Sequence, residues 1–128
     1  MEEERKVLTH YENDARELLK HKDKLEVYLE KAEAKLREID VVGGVLAEVP
    51  ALISITRAYI TKQYTNVPYM SIIAVVGALL YFVSPVDLLF DLTPGYGKID
   101  DLAVIGLALK IIQADLNVYK EWKKENYQ

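Results

Sequence analysis

From Gln63 to Val86 the chain carries no charged side chain, a run of 24 residues in a protein whose charged fraction is 28%. A segment of that kind leaves water, either for the centre of a core or for a bilayer. Its strongly apolar part, Tyr69 to Val83, is 15 residues. As a helix it measures roughly 22 Å against a hydrocarbon thickness of about 30 Å. Gln63, Thr65, Asn66 and Pro68 precede it, and Ser84, Pro85 and Asp87 follow. The other apolar run, Leu102 to Ile112, is interrupted by Lys110, and the mean hydropathy of the whole chain is zero. The expectation is a buried core helix. A membrane-inserted or re-entrant hairpin and an interfacial helix are the alternatives, with Tyr69 and Tyr81 in positions that would suit an aromatic belt.

The charges missing from the middle are concentrated at the start. Residues 1–40 hold twelve acidic and nine basic side chains, 21 of the 36 in the chain. Through them runs an apolar stripe in alternating steps of three and four: Leu8, Tyr11, Ala15, Leu18, Leu25, Leu29, Ala32, Leu36 and Ile39, with Lys22 in the one polar position. This is the seam of a helix lying against one partner. No Gly or Pro occurs before Gly43, so a single amphipathic helix over 1–42 is predicted. A break in the polar cluster His21–Lys24 would make it a helical hairpin instead. Such a seam is expected to pack within the chain or against a second copy.

Gly43–Gly44 is the predicted stop, and residues 45–128 form the helical core of what is one domain overall. Pro50 opens a helix to about Gln63, and Pro68 opens the next, to about Val83. Ser84–Pro85 ends that helix, because the residue before proline is pushed out of helical space. Thr93–Gly97 reads as a loop. A last helix starts at Ile99 or Asp100 and carries Leu102, Ile105, Leu109, Ile112, Leu116 and Tyr119 on one stripe. The fold class is all-α, a compact bundle of four to five helices.

Composition removes several functions. There is no cysteine, hence no disulfide, thiolate catalysis or Cys-based metal centre. Acidic residues exceed basic ones by 20 to 16, for a net charge of -4, which argues against a nucleic-acid surface. The start, Met1–Glu4, has none of the marks of a secretory signal, and the expected location is the cytoplasm, including the inner face of the membrane. His10 and His21 lie on the charged N-terminal helix without paired ligands. Gly95–Gly97 is too short for a dinucleotide fingerprint, and Gly43–Gly44 lacks a following Lys-Ser/Thr.

The most specific string is YFVSPVDLLFDLTPGYGKIDDLAVI, Tyr81 to Ile105. It resembles the YkvA-like family, a bacterial domain of unknown function with a core of the form Y-x-x-S-P-x-D-L-I-P-D-x-x-P-x-x-G-x-x-D-D. Tyr81, Ser84, Pro85, Asp87, Leu88, Asp91, Pro94, Gly97, Asp100 and Asp101 match it. Phe90 stands where the family has proline. The run from about Pro50, with Arg57 and Tyr59, resembles the helix preceding that core, so the likeness covers about residues 48–120. It implies an all-helical domain and little about activity beyond association with membranes.

Four aspartates of the motif offer chemistry. Asp87 and Asp91 share a face if the turn between them is helical, and Asp100 and Asp101 return after the loop. Hard oxygen ligands from two segments suit Mg²⁺, Mn²⁺ or Ca²⁺. Each aspartate also has a structural role at the right offset: Ser84 and Asp87 as a capping box, Asp100 or Asp101 as an N-cap, Asp91 capping loop amides. A salt-bridge network with Arg57 or Lys98 is the third reading. Two function classes follow. One is a non-enzymatic module that binds a protein partner, or itself, through the N-terminal helix, with no cofactor; a small acidic inhibitor or immunity-type protein, or one associated with the membrane surface, would be of this kind. The other is a metal-binding protein or metal-dependent hydrolase built on the aspartates.

Overall fold

A computed structural model describes residues 2–39, 44–83 and 101–126. Of these, 89% are helical and none lies in a strand, so the all-α class holds. Five α-helices follow one another: α1 (Glu2–Leu19), α2 (Lys22–Glu38), α3 (Val49–Ile60), α4 (Tyr69–Val83) and α5 (Asp101–Asn126), with a short 3-10 helix, Gly44–Glu48, before α3.

The N-terminal segment is not one helix. It breaks at Lys20–His21, where His21 takes an extended conformation (φ -129°, ψ 83°), and Lys20 and His21 close α1 with bonds to Glu17 and Leu18 carbonyls. The cause is the polar stretch identified in the sequence. A helix this size is held chiefly by tertiary packing, and between Leu19 and Leu25 the chain offers no apolar side chain to hold the turn on the core. The second departure is at the other end. α2 stops at Glu38 with Ile39 extended, short of the glycine pair, and Ile39 N–H closes the turn onto Leu36. Gly44 does adopt a positive φ of 71°.

α3 carries Pro50 in its first turn and ends at Ile60, three residues before the predicted end. Lys62 adopts a left-handed φ of 63°. Its N–H bonds Tyr59 O and the next N–H bonds Ala58 O, the 6→1 and 5→2 pairing of a Schellman motif. After Pro68, whose carbonyl accepts from Ser71 and Ile72, α4 begins.

The charge-free helix α4 is central and touches all four other α-helices. Ile72, Ile73, Val75, Ala78 and their neighbours through Phe82 are buried; Tyr69 and Met70 at its start are exposed. The seam faces it: Leu8, Tyr11, Ala15, Leu25, Leu29 and Ala32 are buried, while Leu18, Leu36 and Ile39 pack partly buried on the same core. Thus the stripe packs within the chain. Gly77 marks the closest approach of α1, since a Cβ there would stand 3.6 Å from Tyr11 Cβ and 3.7 Å from Leu8 O. α5 closes the core with Ile105, Leu109, Ile112, Leu116 and Tyr119, all buried.

Candidate functional site

Of the motif residues, Tyr81 is described in full. It is buried in the last turns of α4, its ring 6.2 Å from that of Tyr11. Ser84, Pro85, Asp87, Asp91, Pro94, Gly97 and Asp100 lie outside the described residues, and Asp101 enters only as the first residue of α5. The capping and metal readings of the aspartates therefore fall on residues not described. Among the described residues no cluster of three or more His, Asp or Glu side chains could hold a metal ion. Where the motif leaves α4, Lys35 of α2 donates its Nζ to the Phe82 carbonyl and sits 4.6 Å from the Phe82 ring centroid.

Arg57, singled out with the motif, is held by α2. Its Nε donates to both carboxylate oxygens of Glu26 (3.0 and 3.1 Å), Nη2 to Glu26 and Glu33, and Nη1 to Glu33 at 3.1 Å. All three nitrogens are occupied by glutamates. Hydrogen bonds from Arg57 hold the Glu33 carboxyl below its ordinary value, against a desolvation that opposes them, with the charges of Arg57 and then Arg37 adding. The guanidinium in turn is pushed up by its bonds to Glu26 and Glu33. Glu26 and Glu33 are seven apart on α2, two helical turns, and that spacing beside the seam was the readable signal for a shared cation.

The Arg57 cluster forms one wall of a recess of about 530 Å³ lined by α2, α3 and α5. α3 presents one stripe to it, Pro50, Ile53, Ser54, Arg57 and Ala58; α2 contributes Glu33, Leu36 and Arg37, and α5 contributes Tyr119, Trp122 and Lys123. A polar strut fixes α3 against α5: Ser54 Oγ and Tyr119 Oη share a hydrogen bond of 2.6 Å, and Lys123 Nζ donates to Ser54 Oγ at 3.0 Å. Lys120 pairs with Glu48 at 2.8 Å. Behind the strut Tyr64, Tyr119 and Trp122 form an aromatic cluster with ring centroids 4.9 to 5.8 Å apart. Tyr64 Oη is buried there without a hydrogen-bond partner among the described residues. Sequence reasoning missed this cluster, naming only Tyr119 of it, on the stripe of the last helix.

Comparison with known proteins adds the family. Residues 71–107, from the first turn of α4 into α5, match the family model described as protein of unknown function (DUF1232). This match and the relative that follows support a likeness to the YkvA-like family. The protein of Bacillus subtilis (strain 168) named "Uncharacterized membrane protein YkvA" is 28% identical over 78 residues, covering 61% of this chain and 74% of its own length. No solved structure matches the chain. Among the described residues no helix is long and apolar enough to cross a membrane.

Proposed function

We propose that this protein is a non-enzymatic helical binding module that works at the membrane surface. The observation that carries the binding half is the recess between α2, α3 and α5. Its one carboxylate, Glu33, is tied to Arg57 and held in its charged form, and its two hydroxyls, Ser54 and Tyr119, are bonded to each other. General acid–base work at neutral pH needs a group poised near that pH, and Glu33, lowered by its hydrogen bonds from Arg57, is held further from it. Such a recess is built to hold rather than to transform.

The membrane half is supported by the relative's name and by the start of α4. Tyr69 and Met70 are exposed there, Arg16 Nη2 lies 3.5 Å from Met70 Sδ, and Arg5 and Ile111 line a shallow recess with Met70. Apolar tips beside cations suit an anionic bilayer surface. The seam is spent on α4, so a protein partner of the N-terminal helices meets their polar outer faces; the acidic-inhibitor form of the reading depends on those. Fractionation of expressing cells tests the location. The protein is expected in the membrane pellet, to leave it in carbonate without detergent, and to shift toward the supernatant as Met70→Asp. Retention until detergent is added would mean insertion, and absence from the pellet would remove the membrane from the function.

A further inference from the structure

We infer that the recess between α2, α3 and α5 binds one molecule of an anionic amphiphile, its charged head between Arg37 and Lys123 and its apolar chain along Leu36, Ile53 and the Trp122 face. The inference rests on reading this recess as a binding site; where the protein resides in the cell does not enter it. Three features point to this ligand class. First, the lining is cationic in an acidic protein: Arg37, Arg57 and Lys123 face one carboxylate, while the chain as a whole carries -4. Of the three cations, Arg57 is consumed by Glu26 and Glu33. Arg37 and Lys123 form no ion pair among the described residues, although Arg37 lends its field to Glu33. Two cations without an ion pair among the described residues, one of them, Lys123, also donating to Ser54, suit a carboxylate or a single phosphate better than a polyphosphate.

Second, the floor beneath those cations is apolar. Ile53 is buried, and Leu36 packs half-buried on the core. Trp122 is also half-buried, fixed by stacking on Tyr119, so one flat aromatic wall is pre-set. The volume falls in the range of about 300–1,000 Å³ usual for small-molecule sites, and the lining sets this apolar strip among polar groups in nearly equal share. Third, the walls of the recess are braced by bonds within the chain. The Ser54–Tyr119–Lys123 strut and the Arg57 cluster brace α3 against α5 and α2 respectively, so little ordering is required on binding.

The chain reports on this site itself, because Trp122 is its one tryptophan. The full-length protein is titrated with dodecyl phosphate below its micelle concentration and tryptophan emission is followed, with calorimetry for stoichiometry. Dodecyl maltoside supplies the same chain without charge, and inorganic phosphate the charge without the chain. Saturable binding of one dodecyl phosphate is expected, with both controls weaker by about tenfold or more, the scale of one charge-assisted hydrogen bond. The exposed pair Arg37→Glu and Lys123→Glu should abolish the preference for dodecyl phosphate. Lys24→Glu with Lys110→Glu, equally exposed and outside the recess, should leave it intact. Equal binding of dodecyl maltoside would overturn the proposal while sparing the recess as a binding site. Failure of dodecyl phosphate to bind, or unchanged binding in the Arg37 and Lys123 variant, would overturn it too. Vesicles of anionic lipid form the last arm: a Trp122 response to vesicles but not to dodecyl phosphate would assign this face to a bilayer contact and sink the proposal.

Discussion

Lys62 holds a backbone angle that glycine adopts freely and lysine does not. For an L-residue the left-handed conformation costs about 1 kcal/mol, offset in part by the greater chain entropy glycine brings to the unfolded state. Lys62→Gly is therefore expected to raise stability by up to about 1 kcal/mol, whereas Lys62→Ala, which keeps the Cβ, should not; thermal melting of both variants decides it. The motif aspartates call for a parallel comparison. As caps, Asp87→Asn and Asp100→Asn should melt close to the natural protein, and the corresponding Ala variants should lose about 0.5–2 kcal/mol each. Melting with and without millimolar Mg²⁺, Mn²⁺ or Ca²⁺ completes the test. An ion-dependent gain lost equally in Asn and Ala variants would favour a metal site. At this scale the sequence spoke clearly where a residue's own chemistry decides, as at Pro50. It was silent where a distant partner decides: nothing local to Arg57 names Glu26 and Glu33 as its acceptors.

Between elements, the Arg57 cluster is what joins α2 to α3 electrostatically, and its pH dependence has a definite sign. Glu33 is held below its ordinary value of 4.5 in the fold. Its contribution to stability is thus complete above the unfolded value and lost as the pH falls through the lower, folded one. The side chains are 34% to 38% exposed, so solvent screening limits the effect to at most about 1 kcal/mol. Glu33→Gln should accordingly show a shallower fall of Tm between neutral pH and about pH 3 than the natural protein. A parallel acid limb in the two proteins would count against the cluster. The helices themselves were largely legible from period and punctuation, because the stripes of α1, α2 and α5 bury the residues their spacing selects. The break at Lys20–His21 was legible only as the alternative that the polar cluster His21–Lys24 offered, since no Gly or Pro marks it. A helix can end simply because the core stops offering it anything to pack on, and that is known only once the core is assembled.

In the molecule as a whole, α4 is the residue set around which everything else is arranged, and its burial predicts an all-or-none consequence. Leu79 is 3% exposed. An unpaired charge there costs several kcal/mol against a total stability of about 5–15 kcal/mol. Leu79→Asp is expected to lose its cooperative transition by circular dichroism; a folded, cooperatively melting variant would show that α4 is not the core. The charge-free run from Gln63 to Val86 made this centre legible from the start. The recess did not appear in the sequence, because its walls come from three stripes up to 90 positions apart, Glu33 to Lys123.

Lys35 carries a consequence for how this molecule opens. α4 has no charge with which to balance the negative end of its own dipole, and the ammonium that does so is borrowed from α2. The last turn of α4 and the second half of α2 are therefore expected to exchange their amide hydrogens as one unit, on a common timescale. Lys35→Met keeps most of the stem over the Phe82 ring and removes the donor. Native-state hydrogen exchange should then show Leu80 to Val83 opening sooner and independently of α2. Unchanged, joint protection in the variant would mean that side-chain packing alone times the opening of that end of the helix.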